Sequence, residues 1–158
     1  MLRLSKLTDY AVVVLTRLGD TEPHAIQTAP CIAKATGVPE PTVAKVLKAL
    51  AQANLVAATR GAHGGYRLTR PFSGISVADV IAAIDGPIAL TACVDTATGA
   101  CEVACQCAVR GRWNLVNNAI SAALGAITLA DMEAASLPPS LRLPPRQAHP
   151  TEPESFHA

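Results

Sequence analysis

No stretch of this chain stays apolar for long. Its longest aliphatic run, "AVVVL", is five residues, far short of the roughly 20 that a membrane-spanning helix needs. The opening "MLRLSKLTDY" is too polar for a secretory leader and has no cleavage site. No membrane partner is expected, and a cytoplasmic setting, where thiols stay reduced, is. Cysteine is scarce outside one place: of five, Cys31 stands apart and the other four fall within residues 93–107. There is no C-x-x-C for thioredoxin-like chemistry and no C-x2-C knuckle of the common structural zinc sites. No nucleophile–base pair or phosphate loop is visible. The glycines of "GAHGG" join two strand-like stretches, not a strand and a helix, so they are no nucleotide fingerprint. An enzyme with a small-molecule substrate is therefore not expected.

What is present is a chain able to fold. Half of the 158 residues are hydrophobic, which excludes wholesale disorder and suits one domain with an appended segment. The net charge of +1 hides an asymmetry. Residues 1–70 carry nine Lys/Arg against four Asp/Glu, and residues 71–158 carry four against eight. A basic N-terminal half points to a polyanion.

Periodicity organises that half. Leu7, Ala11, Val14, Leu15 and Leu18 form one helical stripe starting near residues 5–8. In "QTAPCIAKATG", Thr28 suits an N-cap, Pro30 a first turn and Gly37 the stop. Cys31 is expected to be a small buried residue of that helix. In "VPEPTVAKVLKALAQANL", Pro41 suits a first turn and Val43, Val46, Leu47 and Leu50 the buried face. Thr42, Lys45, Lys48 and Gln52 lie opposite. Two short helices joined around a glycine, the second basic on its outer face, form a helix-turn-helix pattern. "LVAATRGAHGGYRLTR" then reads as strand 55–59, a turn holding Gly61 and Gly64, and strand 65–69. A hairpin directly after a helix-turn-helix is a wing. Arg60, His63, Arg67 and Arg70 cluster on and beside it. Double-stranded DNA is the expected partner, with Thr42, Lys45 and Lys48 toward the major groove and Arg60, His63 and Arg67 toward the minor groove or backbone.

"SVADVIAAIDG" reads as a further helix with a capping box from Ser76 and Asp79, and with Val77, Val80, Ile81 and Ile84 inward. A long helix over about 108–125 carries two stripes. One is Trp113, Val116, Ile120, Ala123 and Ile127; the other is Leu115, Ala119, Ala122 and Ala126. One stripe is expected on its own domain and the other on a partner helix, giving a homodimer. The last 22 residues hold six of the twelve prolines and read as a disordered tail. The fold class expected is mostly α with a small β-hairpin wing: a winged helix-turn-helix plus a long dimerisation helix. Its parts are a DNA-binding domain (1–86), a cysteine loop (87–107), the dimerisation helix with a short C-terminal helix (108–136) and the tail (137–158).

The cysteine loop carries the remaining chemistry. Cys93, Cys101 and Cys107 are spaced C-x7-C and C-x5-C, with Cys105 between the last two. Three or four thiolates on one loop suit zinc or the iron of a cluster, and spacing alone does not separate these.

"LSKLTDYAVVVL", the wing "TRGAHGGYRL", "ISVADVIAAIDGPI" and a cysteine loop ahead of a Trp-bearing helix together resemble the IscR/NsrR/RirA family of winged-helix iron–sulfur transcription regulators. The resemblance runs in order over about residues 1–133. "MLRLSKLTDYAVVVL" and "CAVRGRWNL" look most like the branch that regulates the SUF iron–sulfur assembly operon. It implies a dimer crossed by the long helix and a 2Fe–2S or 4Fe–4S cluster on Cys93, Cys101 and Cys107. IscR-type members place a His three residues after the last of these cysteines. Here that residue is Arg110, whose guanidinium stays protonated and cannot ligate. NsrR-type members use an N-terminal Asp of the other subunit, a position matched by Asp9. Cys105 is an extra thiol. The fourth ligand is thus Asp9 or Cys105, and the awkwardness of a C-x-C pair on two iron corners favours Asp9. The implied role is regulation of iron–sulfur assembly genes. The alternatives are a nitric-oxide- or iron-responsive repressor of the same family, or a zinc-stabilised regulator without cluster sensing.

Overall fold

Ser5 starts the first helix by accepting the Thr8 backbone N–H on its hydroxyl. The computed structural model describes residues 4–20, 25–61, 63–97, 107–109 and 111–134. Along them run α1 (Lys6–Gly19), α2 (Ala29–Thr36), α3 (Glu40–Gln52), β1 (Val56–Thr59), β2 (Gly65–Leu68), a 3-10 turn (Phe72–Gly74), α4 (Val77–Asp85), α5 (Trp113–Ala126) and α6 (Leu129–Glu133). The architecture is mostly helical with one two-stranded antiparallel hairpin.

The local signals act as their chemistry dictates. Thr28 caps α2 through the Cys31 N–H, and Gly37 ends it in the left-handed region at φ 72°, where only glycine sits without strain. Pro41 occupies the first turn of α3, where a missing N–H costs nothing. Ser76 and Asp79 form the reciprocal capping box of α4. Thr128 and Asp131 repeat it on α6, and the Thr128 hydroxyl and N–H hold the Asp131 carboxyl below the usual carboxylate range.

The core lies among α1, α2, α3 and α4. Val14, Leu15, Ile32, Val43, Val46, Leu47, Leu50 and Val80 are completely buried there. α3 packs on α1, α2, α4 and β1, so it is the hub of this half. Each such side chain contributes about 1.5–3 kcal/mol on burial. Intrinsic helix propensity contributes at most about 0.7 kcal/mol per residue, so packing decides how α3 is rotated.

The wing is pinned from a third side. Gln27 and Tyr66 exchange two backbone hydrogen bonds, at 2.9 and 2.8 Å, so the segment before α2 lies alongside β2. Gly65 makes this approach possible: a Cβ there would sit 2.6 Å from both the Gln27 carbonyl oxygen and Ile26 Cγ2.

Two expectations about the long helix change. It begins at Trp113, not near residue 108, because Gly111 takes φ 72° and breaks any helix running through it. The stripe of Leu115, Ala119, Ala122 and Ala126 is exposed throughout, and the other is only half-buried, at Ile120, Ala123 and Ile127. Trp113 is 41% exposed, Val116 42% and Leu115 79%, and the helix's one fully buried side chain is Asn117. α5 touches α4. Beyond its C-terminal end, Val77 N–H bonds the Ile127 carbonyl and Leu129 N–H bonds that of Ile75, both at 2.9 Å.

Gly65→Ala should lower stability by about 1–3 kcal/mol, the usual range for overpacking. Urea unfolding checks it; a midpoint equal to wild type would show that the Gln27–Tyr66 pairing is not the constraint described.

Candidate nucleic-acid interface and cysteine arm

The buried face of α3 sets which residues face outward. Lys45 and Lys48 are exposed and Thr42 is half-buried in the first turn. On the wing, Arg60 and His63 are exposed on the turn, and Arg67 is half-buried in β2. Arg67 pairs with Ala57, whereas Tyr66 pairs with Ala58 and Leu68 with Val56. Tyr66 and Leu68 pack on the core. Because side chains alternate along a strand, Arg67 leaves from the opposite face.

Between α3 and the wing runs a groove of about 580 Å³, lined by Lys48, Gln52, Thr59, Arg60 and Tyr66 with intervening alanines. It brings Lys48 and Arg60 together from two separate elements. Thr42, Lys45, His63 and Arg67 lie outside its lining. The polar lining residues Gln52, Thr59 and Tyr66 escaped the sequence reading as site residues. Gln52 was legible as outward-facing on α3; Tyr66 was hidden because a wing aromatic reads equally well as strand packing. Arg70 has other business: its guanidinium lies 3.4 Å from the Asp79 carboxylate of the α4 cap. With both groups about 40% exposed, the pair is a weak surface contact.

Cys31 corrects an expectation. It is exposed at the start of α2. The helix buries only Ile32 fully, and a residue one step along is turned about 100° away from that face.

Asp9 is exposed in the first turn of α1. Next to it, Lys6 Nζ lies 5.4 Å from the centre of the Tyr10 ring. The neighbouring Tyr10 side chain raises the lysine pKa. Cys93 and Cys107 are half-buried free thiols outside any disulfide. Thr91 Oγ1 lies 3.2 Å from Cys93 Sγ. Cys101, Cys105 and Arg110 lie outside the described residues. Among the described residues, no group of three or more His, Cys, Asp or Glu is gathered as a metal site. Residues 88–96 of the cysteine segment are bonded to α5 through Asn114 and Asn117.

A family model described as "Rrf2: Iron-dependent Transcriptional regulator" matches residues 4–135. The chain belongs to the Rrf2 family. Protein aau3 of Rhizobium meliloti is 32% identical over 131 residues, covering 83% of this chain and 84% of that protein. The HTH-type transcriptional regulator IscR of Vibrio atlanticus is 32% identical over 131 residues, covering 80% of this chain and 74% of the relative. Among solved structures, T. potens IscR superposes with a TM-score of 0.60 at 28% identity, covering 85% of this chain and 88% of that one.

Rrf2 membership settles the broad questions. This is a DNA-binding transcription regulator with a winged-helix fold, not an enzyme. No described helix is long and apolar enough to cross a membrane.

The exposure of Cys31 has a direct consequence in this Rrf2-family protein. Iodoacetamide should alkylate Cys31 in the native state at nearly its rate in urea, read by peptide mass spectrometry. Protection of more than about tenfold, the mark of a site that must open to react, would restore the buried reading.

Proposed function

We propose that this Rrf2-family regulator acts in the cytoplasm as a homodimer, senses iron–sulfur status through a cluster on its cysteine loop, and controls iron–sulfur assembly genes. The observation that carries the reading is that Cys93 and Cys107 are half-buried thiols outside any disulfide, in a chain whose α3 and wing share a cationic groove. Soft thiolates shielded from bulk water suit the iron of a cluster. Cys93, Cys101 and Cys107 are the proposed ligands, with Asp9 of the partner subunit or Cys105 completing the set. The exposure of Asp9 supports donation across a dimer. When bound, the cluster supplies a labile centre that iron supply, oxygen, peroxide or nitric oxide can alter.

The partner for α5 is a second copy of the chain. Leu115, Ala119, Ala122 and Ala126 are all exposed on that helix. Small side chains at this spacing let two helices approach closely, and a two-fold dimer offers paired reading heads to paired half-sites. Thr42, Lys45 and Lys48 would then approach the major groove, and Arg60, His63 and Arg67 the minor groove or phosphates.

Lys48→Ala should weaken operator binding and lower the slope of log affinity against log salt by about one, the signature of one lost phosphate contact. An unchanged affinity in a Lys45, Lys48, Arg60 triple-alanine variant, measured by gel shift with competitor DNA, would remove these residues from the interface.

Anaerobically purified protein should be brown, contain iron and sulfide, and sediment as a dimer at micromolar concentration. Colourless protein containing zinc would instead support a structural metal. Cys93→Ala, Cys101→Ala and Cys107→Ala should each abolish the cluster absorbance. Asp9→Ala should accelerate cluster loss while Cys105→Ala leaves it near wild type. The reverse outcome would assign the fourth position to Cys105.

A further inference from the structure

The one fully buried side chain of α5 is polar, although the helix also carries large apolar side chains that stay exposed. Asn117 is 2% exposed. Its Oδ1 accepts the Leu90 backbone N–H at 3.0 Å, and its Nδ2 donates to the Ile88 carbonyl at 3.0 Å and to Thr96 Oγ1 at 3.3 Å. The Thr96 hydroxyl in turn donates to the same Ile88 carbonyl at 2.7 Å. One helical turn earlier, Asn114 Oδ1 accepts the Asp95 backbone N–H at 3.0 Å while its Nδ2 donates to Asp95 Oδ2 at 2.8 Å.

The two amides therefore grip the arm on both sides of Cys93: Ile88 and Leu90 before it, Asp95 and Thr96 after it. Between these grips Val94 is 4% exposed and bonds back to Thr91, whose hydroxyl faces the Cys93 thiol. A buried amide missing its partners is costly, so a fully bonded Asn accepts few alternative backbone paths. A leucine there would fill similar space but leave the arm free to slide.

We propose that Asn117, assisted by Asn114, is a positioning residue for the Cys93 thiol, fixing where that thiol stands relative to α5. The inference rests on the cluster reading above. It places the start of the thiol loop and the proposed dimer helix in one hydrogen-bonded unit, so the thiol's position is registered directly on the helix. Groups that orient a metal ligand from behind characteristically shift metal affinity by about 10–100-fold when removed.

The test uses the full chain. In cluster-free protein, Asn117→Leu should speed hydrogen exchange of the Leu90 amide by at least about tenfold, and Asn114→Ala should do the same for the Asp95 amide. In anaerobically loaded protein, Asn117→Leu should lose its cluster at least about tenfold faster and shift the visible circular dichroism of the cluster. Asn118→Leu, on the exposed side of the same helix, and Ile32→Val, a core truncation away from the arm, should leave both readings at wild-type values. If Asn117→Leu does not fold, Asn114→Ala and Thr96→Val carry the same comparison with smaller expected shifts. Wild-type exchange at Leu90 and Asp95, or a wild-type decay rate and spectrum in the Asn variants, would overturn the positioning role alone. A wild-type chain that takes up no cluster under anaerobic reconstitution would overturn the cluster reading, and the positioning role with it.

Discussion

Val43, Val46, Leu47 and Leu50 seat α3 in a socket from which water is excluded, and the geometry of the DNA-reading half follows from that seat. Successive helical residues are turned by about 100°, so burying these four leaves Lys45, Lys48 and Gln52 outside. Rolling α3 by a single residue would drive Lys48 toward the position of Leu47, and an unpaired buried ammonium is far more costly than the roll could recover. The wing inherits the same frame. Asn54 turns the chain at φ 58° immediately after the helix, and Leu55 is buried at 1% exposure. Thr69 Oγ1 ties the returning strand to the Asn54 and Leu55 carbonyls at 2.6 and 3.0 Å. Helix, turn and hairpin are thus one rigid piece, and the groove shared by Lys48 and Arg60 is its outer surface.

The cysteine arm is held by a different kind of force. Its described residues depend on side-chain amides and a hydroxyl, with little apolar burial beyond Val94. A typical hydrogen bond contributes about 0.5–1.5 kcal/mol net, against about 1.5–3 kcal/mol for a buried aliphatic side chain. The arm can therefore be reordered at a cost that leaves the winged-helix core intact. On the proposed reading, that division lets the DNA-reading surface persist while the cysteine segment responds.

Much of the first half was legible in the sequence because local and long-range demands coincide there. Thr28, Gly37, Pro41 and the Ser76–Asp79 pair each sit where capping chemistry and the apolar period agree, and the structure uses all of them. Cys31 was misread because a cysteine next to an isoleucine looks like core; α2 is short and buries a narrow strip around Ile32. α5 was misread in part, for the opposite reason. The stripe expected on its own domain is half-buried only from Ile120 onward and leaves Trp113 and Val116 exposed, and periodicity cannot say how much of a face its own domain covers. Asn117 was invisible because its value depends on three groups 21–29 residues away in sequence. The groove was half legible: charge marked Lys48 and Arg60, but nothing local marked Tyr66.

α4 joins the two halves physically, touching α1 and α3 on one side and α5 on the other. Its last residue, Asp85, places a carboxylate at a helix C-terminus, where the macrodipole disfavours negative charge by about 0.3–1 kcal/mol. The Thr8 hydroxyl donates to that carboxylate at 2.6 Å, and Thr8 itself is 2% exposed. This hydrogen bond offsets the unfavourable position and fastens the start of α1 to the end of α4. Asp9 is the next residue after Thr8. On the proposed reading, a ligand contact made or lost at Asp9 acts one residue from the bond that links the first helix to α4, and α4 lies against α5, which carries the cysteine arm. Contact alone does not make a signalling route, since coupling requires an element with two arrangements that both ends can bias. Here the Thr8–Asp85 bond is one short polar contact that fixes the start of α1 against the end of α4, so any route from Asp9 to the cysteine arm has to pass through a change in how these two helices meet.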